Sequence, residues 1–276
     1  MVNISAAAVK SLRDKTSLPM MKCKEALQAT GGDEQAAIEW LRKDNIKVQE
    51  GRIGRETSFG RMGLFTDWDN GTGALVELLC ESAPVAANDE FIQLASDLAK
   101  QLATGPGANS GDELLAQPSP SQAGKTLADQ LNDISGRIRE VFKVGRIARI
   151  NGKTAGYVHH AGKTLGVLVE AAGGKPEAAK DVAMHIAAIR PQVISREELS
   201  PADIEKEREI LSEAARKEGK PENIIGKMVE GRLRNFFAER VLLEQPFLKD
   251  NDKTVGKYAE ENGLKIARYI QWELGK

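Results

Sequence analysis

The feature that most constrains this chain is an internal repeat. GLFTDWDNGTGALVE begins at Gly63 and GYVHHAGKTLGVLVE at Gly156, so that Gly63, Gly73 and Glu77 recur as Gly156, Gly166 and Glu170 at one constant offset. In each copy an extended run meets a turn, Asp69-Asn70-Gly71 or Ala161-Gly162-Lys163. A second apolar run follows, Ala74-Leu75-Val76 or Val167-Leu168-Val169. Short apolar runs separated by Gly-containing turns predict hairpins. A helical pattern comes after each one: Phe91, Leu94, Ala95, Leu98 and Leu102 in the first, Val182, Ala183, Ile186 and Ile189 in the second. Hairpin plus helix, twice over, predicts an α+β fold with duplicated core subdomains. Upstream of the second copy, RIARINGKTAGYV adds another strand through an Asn151-Gly152 turn.

The flanks read differently. Residues 1–53 form a three-helix module. Ser5 caps a first helix with Val9 and Leu12 on one face, Gly31-Gly32 ends a second through Met21 and Leu27, and Asp33 caps a third carrying Ala36, Ala37, Trp40 and Leu41. So small a helical unit has a marginal core and is suited to present a surface rather than enclose a pocket. Core subdomains occupy 54–145 and 146–200. The Gly-, Pro- and Ser-rich stretch TGPGANSGDELLAQPSPSQAGKT between the copies reads as a loop or linker, and the helix LADQLNDISGRIREVF leads out of it. In 201–245, Ile204, Leu211, Ala214 and Ala215 precede the reversal Gly219-Lys220-Pro221. Ile225, Met228, Val229, Leu233, Phe236 and Phe237 follow, which predicts an inserted antiparallel helical hairpin, a coiled coil. The tail, 246–276, is expected as a C-terminal module that returns to the second core subdomain, and it carries a short helix near 254–262. Its last strand has Ile266, Ile270, Trp272 and Leu274 at one parity, as in a half-buried strand.

Lys and Arg number 39 against 40 Asp and Glu. That balance argues against nucleic acid as the main ligand, which requires a basic surplus. No apolar stretch approaches the length that spans a bilayer, and MVNISAAAVKSLRDK becomes charged too early for a signal peptide. Cys23 and Cys80 lack Cys-x-x-Cys spacing, as in a reduced cytoplasmic protein with small buried thiols. Gly-Lys-Thr occurs at Gly124, Gly152 and Gly162, but a phosphate loop needs another Gly five positions earlier. Those positions hold Ser119, Ile147 and Tyr157. His159 and His160 are adjacent and point to opposite faces of a strand, so they cannot chelate one ion. His185 inside an apolar helix reads as a satisfied core histidine. With no nucleophile setting, cofactor motif or metal cluster in view, the chain reads as a binding protein rather than an enzyme.

The landmarks together resemble the elongation factor Ts family. MMKCKEAL followed by GGDEQAAIEWLR looks like that family's ubiquitin-associated-type module, and GYVHHAGKTLGVLVE, AMHIAA, KMVEGRLRNFFAE and EQPFLKDNDKTVG follow in the family's order. The resemblance implies a cytoplasmic guanine nucleotide exchange factor for the GTPase elongation factor Tu, with no cofactor and no nucleotide bound by the chain itself. It puts Arg13, Met20 and Met21 of the module and His159 of the second subdomain at the partner interface. Of the two methionines, one is expected in the core and one exposed.

One stretch departs from the family. After the first subdomain's strand, members usually carry Thr-Asp-Phe-Val, whose Asp and Phe press into the GTPase beside its Mg²⁺ site. Here the residues are Ser82, Ala83, Pro84 and Val85. An anionic cap and an aromatic wedge are replaced by a methyl and a φ-locked ring, so this loop has to act through shape and backbone. Two further readings stay open. The hairpin is a homodimerisation arm or one that packs on its own core. A ribosome- or RNA-associated protein is the rival function; it needs a basic, aromatic β surface, of which Arg146, Arg149, Tyr157 and Trp68 are the available members.

Overall fold

A computed structural model describes residues 4–16, 18–50, 54–162 and 164–276, with the side chains of 45–50 left aside. Lys163 of the second turn and the boundary at residue 53 lie outside the described residues. The fold is α+β, and the chain divides into two compact units: Met1–Phe65, Ala74–Arg149 and Leu274–Lys276 in one, Thr66–Gly73 and Ile150–Glu273 in the other.

The first unit opens with three helices, α1 (Ala6–Thr16), α2 (Met20–Ala29) and α3 (Glu34–Glu50). Ser5 Oγ accepts the Ala8 N–H at 3.2 Å and Asp33 Oδ1 the Ala36 N–H at 2.9 Å, so both expected caps form. Gly31 and Gly32 take positive φ at the intervening turn. Val9, Leu12, Cys23, Ala26, Leu27, Ala37 and Leu41 make the small core.

Strands β1 (Phe59–Asp67) and β2 (Thr72–Cys80) form the first repeat copy. The short helix α4 (Ala83–Ala86), then α5 (Asp89–Thr104), α6 (Gly111–Leu115), α7 (Leu127–Ile138) and β3 (Lys143–Asn151) follow, and the sheet order is β1-β2-β3. The apolar face of α5 covers Ala74, Val76 and Leu78 of β2, and Phe91 meets Phe142 edge-on at 4.9 Å. The strand expected to extend the second copy, β3, is hydrogen-bonded in this first sheet instead.

The stretch expected to be a loose linker is folded. It contains α6, whose Leu114 is fully buried. Asp97 of α5, only 3% exposed, takes hydrogen bonds from Gln93, Ser121 and Gln130, while Ser119 donates to Gln130. Neutral donors satisfy a buried carboxylate here, and in doing so they fasten residues 119–121 to α5 and α7.

In the second unit β4 (Thr154–His159), β5 (Leu165–Ala172), α8 (Pro176–Ile189), α9 (Pro201–Lys217), α10 (Glu222–Arg240), β6 (Pro246–Phe247), β7 (Asp250–Thr254), α11 (Val255–Glu261) and β8 (Lys265–Glu273) appear in chain order. Sheet order β4-β5-β8, antiparallel throughout, makes β8 the third strand here as β3 is in the first sheet. Val167 and Val169 pack on Val182, Ala183 and Ile186 of α8; Ile189, expected on the same face, is 44% exposed at the helix end.

The single parity expected for the last strand fails at a bulge. Ala171 pairs with Ile266 but Glu170 with Arg268, so Ala267 is skipped. A one-residue insertion exchanges the faces of everything beyond it. Tyr269 and Gln271, not Ile270 and Trp272, therefore share the face of buried Ile266. Tyr269 Oη donates to Pro191 O at 2.7 Å, and Gln271 Nε2 to Ile186 O at 3.1 Å.

Helices α9 and α10 pack through Ile204, Leu211, Ala215, Ile225, Val229 and Leu233, turning at Gly219 (φ 71°). At the base Phe236 and Phe237 meet edge-on, with the Arg240 and Arg196 guanidiniums each 4.1 Å from a ring centre.

Candidate functional site: a fastened loop at the end of β2

The loop formed by Ser82, Ala83, Pro84 and Val85 is built from the inside out. Val85 is buried in the first core, while Ala83 and Pro84 are exposed and Ser82 is half-buried. Pro84 sits in the first turn of α4, where its missing N–H costs nothing. Ser82 is the backbone N-cap of that turn, yet its side chain makes no capping bond. Its hydroxyl donates to Glu140 Oε1 at 2.5 Å, and the N–H groups of Ser82 and Glu81 donate to Glu140 Oε2 at 3.1 and 3.2 Å.

The clasp is reciprocal. Glu81 Oε1 accepts the Val141 N–H at 2.7 Å, and Arg55 pairs with the same carboxylate at 3.2 Å. On the far side Arg61 Nη1 donates to Ala86 O at 3.2 Å. The loop is therefore held before, beneath and after its exposed pair. Nothing near Ser82 announces Glu140, which lies 58 residues further along the chain. It comes within reach because α7 ends at Arg139 in the left-handed region (φ 66°). Cys80 beside this loop is no nucleophile: burial, helped by the Glu140 and Glu81 charges, pushes its thiol up to about 11.

The other expected contact residues lie elsewhere. Arg13 is exposed on α1. Met20 and Met21 are both exposed, at 45% and 66%, because Cys23, Ala26 and Leu27 already supply the core face of α2; neither methionine is core. His159, at the end of β4 in the second unit, is half-buried with its Nδ1 3.1 Å from Tyr157 Oη.

His185 is fully buried and satisfied: Nδ1 accepts the Leu248 N–H at 3.2 Å, so Nε2–H is the donor to Gln245 Oε1 at 2.9 Å. A cleft of about 550 Å³ in the first unit is lined by Lys15, Ile38, Arg42, Lys125, Asp133 and Arg137 among others. Lys125 pairs with Asp133 at 2.6 Å and Arg137 with Glu90 at 2.5 Å, so these rim charges neutralise one another. Among the described residues no group of three or more His, Cys, Asp or Glu could hold a metal ion, and no helix is long and apolar enough to cross a membrane.

The outward residues of the loop, Ala83 and Pro84, carry no functional groups, and the frame around them is hydrogen-bonded on both sides. Comparison with known proteins gives the family. The family profile described as Elongation factor TS matches residues 84–276. The elongation factor Ts of Methylococcus capsulatus is 40% identical over 278 residues, covering 100% of this chain and 93% of its own length. That of Prosthecochloris aestuarii is 38% identical over 289 residues, and that of Thermobifida fusca 40% over 282, each covering 100% of both chains. The chain belongs to the elongation factor Ts family.

Proposed function

We propose that this chain loosens GDP in its partner with a rigid Ala83-Pro84 knob, backed by contacts from the N-terminal module and the second unit. As a member of the elongation factor Ts family, the chain is a guanine nucleotide exchange factor for translation elongation factor Tu and acts by binding, not by bond chemistry. A GTPase holds GDP through loop N–H groups and a bridging Mg²⁺. An exchange factor must fit the emptied shape better than the loaded one, since uniform binding to both shifts nothing. By linkage GDP then weakens the factor's own binding equally, and each decade corresponds to about 1.4 kcal/mol of differential contact.

The observation that carries this reading is the fastening of residues 82–85. Without the family's Asp and Phe, only a stiff loop can transmit force through a methyl and a pyrrolidine ring. Arg13, Met20 and Met21, all exposed on packed neighbours α1 and α2, form the module's contact, and His159 that of the second unit. The three-helix module is ubiquitin-associated-like. The matching orders β1-β2-β3 and β4-β5-β8, each with a helix on one face, support descent from one duplicated subdomain. The α9–α10 hairpin, with Ile210 and Ile224 exposed, serves as a homodimerisation arm, which sedimentation of the purified chain tests. This function belongs in the cytoplasm. The RNA-binding rival is weakened at its two arginines, because Arg146 is engaged by Glu77 and Arg149 by Gly105 O.

The test is release of fluorescent mantGDP from the cognate elongation factor Tu with and without the chain. Saturating protein should raise the off-rate, and the double substitution Ala83→Asp, Pro84→Phe should change it. An off-rate indifferent to the double substitution removes the loop from the mechanism.

A further inference from the structure

Glu140 lies outside the loop that touches the partner and is half-buried behind it, yet its carboxylate collects three donors from the loop's entrance: Ser82 Oγ at 2.5 Å, Ser82 N–H at 3.1 Å and Glu81 N–H at 3.2 Å. We infer that Glu140 is the positioning residue of the exchange reaction, the brace that keeps the Ala83-Pro84 knob from yielding when it meets the GTPase. The inference rests on the reading of that loop given above.

The physical reason is specific to this sequence. A contact made by a large side chain retains its area even when the backbone gives by an ångström, because the side chain can follow. A methyl and a proline ring have no such reach, so their whole effect depends on where the backbone stands. Burial of Val85 and the Arg61 bond to Ala86 O fix the floor and the exit of the turn. The entrance is fixed by Glu140, because Ser82 has given up its own capping bond to reach that carboxylate. Two backbone donors and a hydroxyl on one carboxylate define a direction as well as a distance, and charge-assisted bonds of this kind are the strong ones.

A loosened brace leaves the module's and second unit's contacts intact, so it separates two parameters that a general loss of structure would move together. In stopped-flow mantGDP release from elongation factor Tu, titrated with full-length protein, Glu140→Ala should lower the limiting off-rate by about tenfold or more, while the half-saturating concentration shifts by less than about twofold. Glu140→Gln should recover most of the rate. Its amide oxygen can still accept both N–H groups, and its NH₂ can donate to the Ser82 hydroxyl, which simply turns round.

A limiting rate for Glu140→Ala within about twofold of the parent overturns the inference, as does a Glu140→Gln variant no better than Glu140→Ala. Should Glu140→Ala fail to fold, Ser82→Ala removes one of the three bonds at the surface and must lower the limiting rate in the same sense. The Ala83→Asp, Pro84→Phe protein separates the two ideas. If it alters exchange while Glu140→Ala does not, only the brace is wrong. If it changes nothing while Glu140→Ala slows release, the knob has failed, and with it the claim that Glu140 acts through it.

Discussion

Glu77 of β2 and Arg146 of β3 form a two-pronged ion pair, with Arg146 Nη2 2.8 Å from Oε1 and Nε 3.1 Å from Oε2. Glu170, its counterpart in the repeat, grips Arg268 of β8 through Nε at 2.6 Å. The same glutamate thus clamps the third strand of its own sheet in both units. The surroundings differ, though: the Glu77 and Arg146 side chains are 5% and 35% exposed, those of Glu170 and Arg268 23% and 56%.

That difference sets an unequal cost. Arg146→Ala strands a buried carboxylate and should destabilise the first unit by about 2–4 kcal/mol. Arg268→Ala breaks a solvated pair and should cost about 0–1 kcal/mol. Urea unfolding of the two variants measures both; equal losses would refute the argument from burial. Burial alone would raise the Glu77 carboxyl, but the bonds from Arg146 and from the Gly275 N–H outweigh it and hold it below the usual glutamate value. A depressed folded pKa means the pair's stabilisation is complete above the ordinary glutamate range and drains away as pH falls through the folded value.

His185 titrates with the opposite charge but the same consequence. Burial, only partly offset by the bond to Gln245, lowers its pKa. Its Nδ1 cannot take a proton without expelling the Leu248 N–H. Below about pH 6.5 the unfolded chain binds a proton that the folded one refuses, so stability is full above that pH and falls as pH drops toward the folded value. Exchange of the Leu248 amide, followed from pH 7 down to pH 5, should slow less than the base-catalysed trend of a free amide, an excess that should vanish in His185→Gln.

Glycines give a matched pair of opposite sign. A Cβ on Gly63 would stand 2.0 Å from the carbonyl oxygen of Ala95, so α5 lies directly on β1 at this point. Gly63→Ala must push backbone apart, at about 1–3 kcal/mol. On α10 a Cβ at Gly226 meets nothing within 4 Å, and there Ala should add about 0.8–1 kcal/mol of helix propensity. Thermal melts moving in the same direction for both would contradict this account.

The repeat made both hairpins and their covering helices legible, because alternation and helical spacing are local signals. What stayed hidden depends on partners distant in sequence. No local pattern says that the strand beginning at Lys143 pairs with β2. The bulge at Ala267 is set by pairing with β5, so parity alone misplaced Ile270 and Trp272. The Gly- and Pro-rich stretch looked loose because its order comes from Asp97 and Gln130 on other elements. At the site, the family resemblance named the loop, but only the fold divides it into an outward pair, Ala83 and Pro84, and an inward anchor, Val85.

Met20 and Met21 are the sharpest test of the module's role. Both project from α2 at 45% and 66% exposure, in a module whose core is complete without them. An exposed methionine pair costs nothing in folding to replace, so Met20→Glu and Met21→Glu should each leave stability within about 0.5 kcal/mol. If the pair meets apolar surface on elongation factor Tu, a buried unpaired carboxylate should weaken the complex by about tenfold or more. Leu12→Ala supplies the contrast, since its side chain is fully buried and its loss should cost the module about 2–5 kcal/mol. Titration calorimetry against nucleotide-free partner, read beside thermal melts, distinguishes a lost contact from a lost fold. Unchanged affinity in both glutamate variants would take the methionines out of the interface and leave Arg13 as the module's remaining named contact.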